Sequence, residues 1–90
     1  MNISRQEQRV LHVLAQGGEI RLQRIDNQIV DVDCFNRYGL RLSDCTLSVF
    51  QKLKRRGLIS SIDGRPYQIT RLGREAVRPQ LDNRAPARSR

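Results

Sequence analysis

Apolar positions near the start of the chain recur at helical spacing and then switch to alternation. Ile3, Val10, Val13 and Leu14 share one stripe of a helix wheel, and Ser4 followed by Glu7 forms a capping box at its start. Gly17 and Gly18 end the run, so a helix is predicted from 4 to 16, with His12 projecting away from the apolar stripe as an exposed residue. From Glu19 to Phe35 the segments EIRLQRI and QIVDVDCF alternate apolar and polar around an Asp26-Asn27 turn signal. That pattern predicts a β-hairpin burying Ile20, Leu22, Val30, Val32 and Cys34, or in part the opposite parity.

The stretch NRYGLRLSD then leads through Gly39 to Ser43 or Asp44 as the next N-cap, and a second helix is expected from about 44 to 56. Its projection places Leu42, Thr46, Val49, Phe50 and Leu53 on one side and Ser48, Gln51, Lys52 and Arg55 on the other. Gly57 is a natural helix stop. LISSI, the turn DGRP and YQIT then read as a second hairpin. Thr70 caps a short third helix, RLGREAV, in spite of the cost of about 1 kcal/mol for Gly73 inside it. The expected fold class is α+β: a small winged helix-turn-helix-like domain over residues 1–78, with three helices and two β-hairpins. Residues 79–90 read as a basic flexible tail, and the sequence has no internal repeats.

Charge sharpens this picture. The 90 residues carry 17 Lys+Arg against 9 Asp+Glu, a net charge of +8, which favours an anionic partner. Residues 1–43 contribute +1, residues 44–78 contribute +5 and residues 79–90 contribute +2. The basic character therefore belongs to the second half, with Lys52, Lys54, Arg55 and Arg56 crowded where the second helix ends. Cations in a last helical turn gain about 0.3–1 kcal/mol from the macrodipole whatever the protein binds. That explanation does not extend to Arg65, at the tip of a turn.

In a winged helix the second helix would enter the DNA major groove, with Ser48 and Gln51 reaching base edges. Lys52, Arg55, Arg65 and Arg71 would hold phosphates. One part is missing, because a hairpin and a loop occupy residues 19–43, where many DNA-reading members carry a bracing helix. Tyr67, on the wing, reads as a half-buried strand residue that could also anchor an interface.

Catalytic chemistry is not legible. The sequence offers no nucleophile motif, no phosphate-binding glycine loop and no His/Cys spacing for a metal, and Asp31 and Asp33 read as a solvated strand face. Cys34 and Cys45 fit two buried thiols of a reducing compartment. No apolar run approaches membrane-spanning length and the first residues lack a signal-peptide pattern, so a non-enzymatic cytoplasmic protein without cofactor or metal is expected.

Four blocks carry a resemblance: MNISRQEQRVLHVLAQGGEI, DCTLSVFQKLKRRGLI, GRPYQIT and RPQLDNR. Together they resemble the YjhX family of small bacterial proteins over residues 1 to about 84, leaving only APARSR outside. The resemblance implies the toxin half of a toxin-antitoxin pair, with inhibition of bacterial DNA topoisomerase I as the activity and an acetyltransferase-like protein as the antitoxin. It brings no set of functional residues to transfer. The surface candidates are therefore Ser48, Gln51, Lys52, Arg55, Arg56, Arg65 and Tyr67. The partners they could meet are topoisomerase I, the antitoxin or, in the alternative reading of a winged-helix transcriptional regulator, DNA.

Overall fold

In the computed structural model, which describes residues 3–84 and their side chains as far as Val77, the capping box forms as the sequence implies. The Ser4 N–H donates to the Glu7 carboxylate (2.9 Å) and the Glu7 N–H donates to Ser4 Oγ (3.1 Å). They start helix α1 (Arg5–Ala15), whose Val10, Leu11 and Leu14 are buried. Leu11 joins the buried face and Val13 lies at its margin. His12 is half-buried rather than exposed, and its Nε2 lies 3.1 Å from the Gln16 amide.

The expected hairpin follows as β1 (Glu19–Ile25) and β2 (Gln28–Phe35), with Asp26 and Asn27 both at positive φ. Such a turn has the twist that antiparallel strands need. The register runs regularly from Glu19↔Phe35 to Gln23↔Asp31 and then jumps to Arg24↔Ile29, leaving Val30 unmatched in a bulge. The extra residue reverses the facing of the strand end: Ile29 packs against the core and Val30, expected inside, is 47% exposed.

A short third strand, β3 (Arg41–Leu42), joins β2 and makes this unit a three-stranded sheet rather than a hairpin alone. The Asn36 side chain builds the turn that returns the chain, accepting from the N–H groups of Tyr38 (2.8 Å) and Leu40 (2.9 Å). Asp33, read from sequence as part of a solvated face, clasps the sheet. Its carboxylate accepts from Gln23 on β1 (2.7 Å) and from Arg41 on β3 (2.9 Å).

Helix α2 (Leu47–Arg55) begins later than expected, because Thr46 is the N-cap and accepts from the Val49 N–H at 3.2 Å. Ser43 and Asp44 do not cap it. Asp44 instead pairs with Arg9 of α1 (3.0 Å), and the intervening chain carries Cys45 into the core. There the Cys45 thiol hydrogen-bonds to Cys34; that bond and burial push its pKa well above the ordinary value. Gly57, at φ 74°, closes α2: Leu58 N–H donates to the Leu53 carbonyl and Gly57 N–H to that of Lys54.

Strands β4 (Ile59–Ser60) and β5 (Gln68–Ile69) form the second hairpin, which leads to helix α3 (Arg71–Arg84). Thr70 caps α3 as expected, accepting from the Gly73 N–H (3.0 Å) while its hydroxyl donates to the Gly57 carbonyl (2.7 Å). Gly73 is explained by close packing, since a Cβ there would strike the Leu58 carbonyl oxygen and lie 2.7 Å from Ile69. Helix α3 is longer than RLGREAV. The tail expected over 79–90 lies beyond the described side chains, and residues 85–90 lie outside the described residues altogether.

The core draws on both halves of the chain. Val10, Leu11 and Leu14 of α1 meet Ile20, Val32 and Cys34 of the sheet, Phe50 and Leu53 of α2, and Val77 of α3. The two sheets touch through one bridge, in which Ile20 and Tyr67 exchange hydrogen bonds of 2.9 and 2.8 Å.

Gly73→Ala should therefore lower unfolding free energy by about 1–3 kcal/mol, as overpacking does, in place of the small gain that alanine brings to an open helix site. Denaturant unfolding measures it; a stabilised variant would mean that α3 does not press on Leu58. The bonds from Gln23 and Arg41 hold the Asp33 pKa below the ordinary aspartate value. The carboxylate is then the form the fold prefers, so the clasp contributes fully above the ordinary pKa of about 3.9 and is lost as pH falls through the lower folded value. A side-chain NMR titration should place the Asp33 midpoint below the ordinary one, and an ordinary midpoint would mean that the clasp is open in solution.

Candidate functional site

Two of the three buried residues of α2, Phe50 and Leu53, are essentially inaccessible to solvent, and this fixes what the opposite face can present. Ser48, Gln51, Lys52 and Arg55 follow one another at spacings of three, one and three along that face, and all four are exposed. Thr46 satisfies the first turn and the Gly57 stop satisfies the last, so these side chains stand on a helix held at both ends. Among the described residues no ion pair is formed by Lys52, Lys54 or Arg55.

Arg56 has a different part. Its guanidinium lies 3.6 Å from the second carboxylate oxygen of Glu7, whose side chain is only 3% exposed. Glu7 is needed in the α1 capping box, and its buried negative charge needs a cation nearby. The cluster of four cations seen in the sequence thus divides into three that face solvent and one that holds α1 to the end of α2.

Arg65 and Tyr67 are brought together elsewhere. Asp63 and Gly64, both at positive φ, form the tip of the β4–β5 hairpin, and Arg65 follows with its side chain exposed. Tyr67 is half-buried and packs edge-on against Phe50, with ring centroids 4.9 Å apart and planes at 87°. Both residues line a groove of about 650 Å³ that separates the hairpin from β1, and Arg21 and Arg24 line its other side. Arg21 is paired with Glu19 (2.6 Å), whereas Arg24 and Arg65 have no ion pair among the described residues. Sequence reasoning did not select Arg21 or Arg24, because only the Ile20–Tyr67 bridge brings β1 beside the hairpin. Arg71 is exposed and pairs along α3 with Glu75 at 3.6 Å. No helix among the described residues is long and apolar enough to cross a membrane.

Comparison with known proteins is consistent over nearly the whole chain. Residues 1–84 match the sequence model of the YjhX toxin family, described as "putative toxin of bacterial toxin-antitoxin pair". A UPF0386 protein of Brucella anthropi is 63% identical over 84 residues, spanning 93% of this chain and 100% of its own. A UPF0386 protein of Beijerinckia indica is 64% identical over 85 residues, with the same shares. One from Caulobacter vibrioides is 58% identical over 90 residues, with 99% of each chain covered. No solved structure matches. The chain belongs to the YjhX toxin family, and membership in a toxin-antitoxin pair gives it an antitoxin as partner.

The division of the cation cluster is directly measurable. Arg56→Ala should cost about 1–3 kcal/mol of stability by leaving the Glu7 carboxylate buried without its cation. Lys52→Ala and Arg55→Ala should stay within about 0.5 kcal/mol of the parent, as surface substitutions do. Urea unfolding of the three variants checks the ranking, and equal small effects would mean that Arg56 is as free as its neighbours.

Proposed function

We propose that this YjhX-family protein acts by binding rather than by catalysis, inhibiting bacterial DNA topoisomerase I by direct contact, with an acetyltransferase-like protein as its antitoxin. The observation that carries the reading is the exposed α2 face, where Gln51, Lys52 and Arg55 stand together on a helix capped at both ends, and neither cation forms an ion pair among the described residues. The choice of enzyme comes from the family resemblance. A rigid cationic face suits fast association with an acidic surface, because long-range attraction raises the rate of encounter and weakens with salt. Nothing in this mode of inhibition asks the small protein for a nucleophile, a general base or a metal.

A second reading is favoured by the order of elements alone. Helix α2 is followed at once by the β4–β5 hairpin with Arg65 beside its tip, as in a winged helix whose second helix enters the major groove. Against it stands the segment between α1 and α2, which is a three-stranded sheet and not a bracing helix. The two readings differ in what added DNA does, since binding through phosphates falls steeply with salt and is shared by any duplex.

In a supercoil-relaxation assay with the host topoisomerase I, the inhibition midpoint should follow enzyme concentration and ignore added plasmid. Lys52→Glu combined with Arg55→Glu should weaken inhibition by about tenfold or more, as loss of interface charge pairs does, while leaving unfolding unchanged. Relief of inhibition by excess DNA, or full potency in the double variant, would count against this surface.

A further inference from the structure

Strand β1 pairs with β2 along one side, and its other side meets the β4–β5 hairpin only at Ile20↔Tyr67. The main-chain groups of an antiparallel strand point to the same side at every second residue. With Ile20 bonded outward to Tyr67, the next N–H and C=O to face the hairpin belong to Leu22. Antiparallel pairing continued from the bridge would bring Arg65 opposite Leu22.

The hairpin has already used those groups. The Arg65 N–H donates to the Ile62 carbonyl (3.1 Å), and its carbonyl accepts from the Ser61 hydroxyl. The next residue, Pro66, has no N–H. The two elements therefore part beyond the bridge and leave the groove of about 650 Å³ between them. Among the described residues the main chain of Leu22 has no hydrogen-bond partner on that side.

Three arginines, Arg21, Arg24 and Arg65, line this gap. Two apolar side chains also stand out to solvent, Ile25 at the end of β1 (63% exposed) and Ile62 in the hairpin turn (68%). An open strand edge beside Arg24 and Arg65, which have no ion pair among the described residues, with exposed isoleucines on the two elements that border the groove, defines a strand-addition site. We propose that an extended, acidic segment of a partner protein adds to β1 in this groove. It would exchange main-chain hydrogen bonds with Leu22 and set carboxylates against Arg24 and Arg65.

A peptide suits the groove better than nucleic acid. Phosphates would satisfy the arginines but offer nothing to the Leu22 carbonyl, which needs a donor, whereas a strand supplies donor and acceptor at the spacing of β1. The inference is independent of the α2 face and of which enzyme the protein inhibits.

The test uses the full ¹⁵N-labelled chain and a synthetic peptide alternating Glu or Asp with Val or Ile. The same peptide N-methylated at alternate amides, and a short DNA duplex, are the comparison probes. The peptide should slow hydrogen exchange at the Leu22 amide and shift its resonance. N-methylation should weaken binding by about tenfold, the worth of one or two hydrogen bonds. Arg24→Glu with Arg65→Glu should weaken it at least as much. The proposal is overturned by any of four results: no effect on Leu22, equal binding of the N-methylated peptide, displacement of the peptide by the duplex at similar concentration, or protection of Leu22 by a second copy of the chain without peptide.

Discussion

The pair of hydrogen bonds between Ile20 and Tyr67 is the joint on which the molecule's arrangement depends. Ile20 is fully buried, so the bridge forms where water cannot compete for its peptide groups, and breaking it would strand a buried donor and acceptor. The Tyr67 ring lies edge-on to Phe50 near the centre of the core, so the same residue that joins the sheets also fixes α2 between them. The exposed face of α2 is held in place from below by this contact. The groove beside β1 exists because the joint extends no further than one bridge.

A single basic cluster in the sequence serves two purposes in the fold. Glu7 completes the α1 capping box with one carboxylate oxygen and is nearly inaccessible, and Arg56 lies 3.6 Å from its other oxygen. A buried carboxylate is costly without a cation beside it, which gives Arg56 a structural role. Lys52, Lys54 and Arg55 have no such duty among the described residues. Their gain from the α2 macrodipole, about 0.3–1 kcal/mol each, makes them affordable on the helix and leaves their charge available to a partner.

Much of the fold was legible because its boundaries are set by local chemistry. Ser4 with Glu7, Asp26 with Asn27, Gly57, and Thr70 each act within a few residues of themselves, and each does in the structure what its sequence context implies. The misreadings arise where distant contacts decide. Thr46 rather than Ser43 or Asp44 caps α2 because Arg9 of α1 takes Asp44 and the core takes Cys45. Val30 turns outward because of a bulge that alternation cannot show, and β3 is too short to leave a pattern, although Asn36 at its turn was a usable signal. The α2 face was legible from periodicity, whereas Arg21 and Arg24 become part of a site only through a pairing between residues far apart in the chain.

The family places this chain in a toxin-antitoxin pair, and the structure offers two surfaces that such a protein can use: a cationic helix face and an open strand edge. Both are means of binding, and the central claim is that the helix face engages topoisomerase I itself. Calorimetric titration of the enzyme with the purified chain, in the complete absence of DNA, tests it most directly. Saturable binding at a fixed ratio, weakening as salt rises, is the predicted result; no heat of binding until DNA is added would contradict the claim.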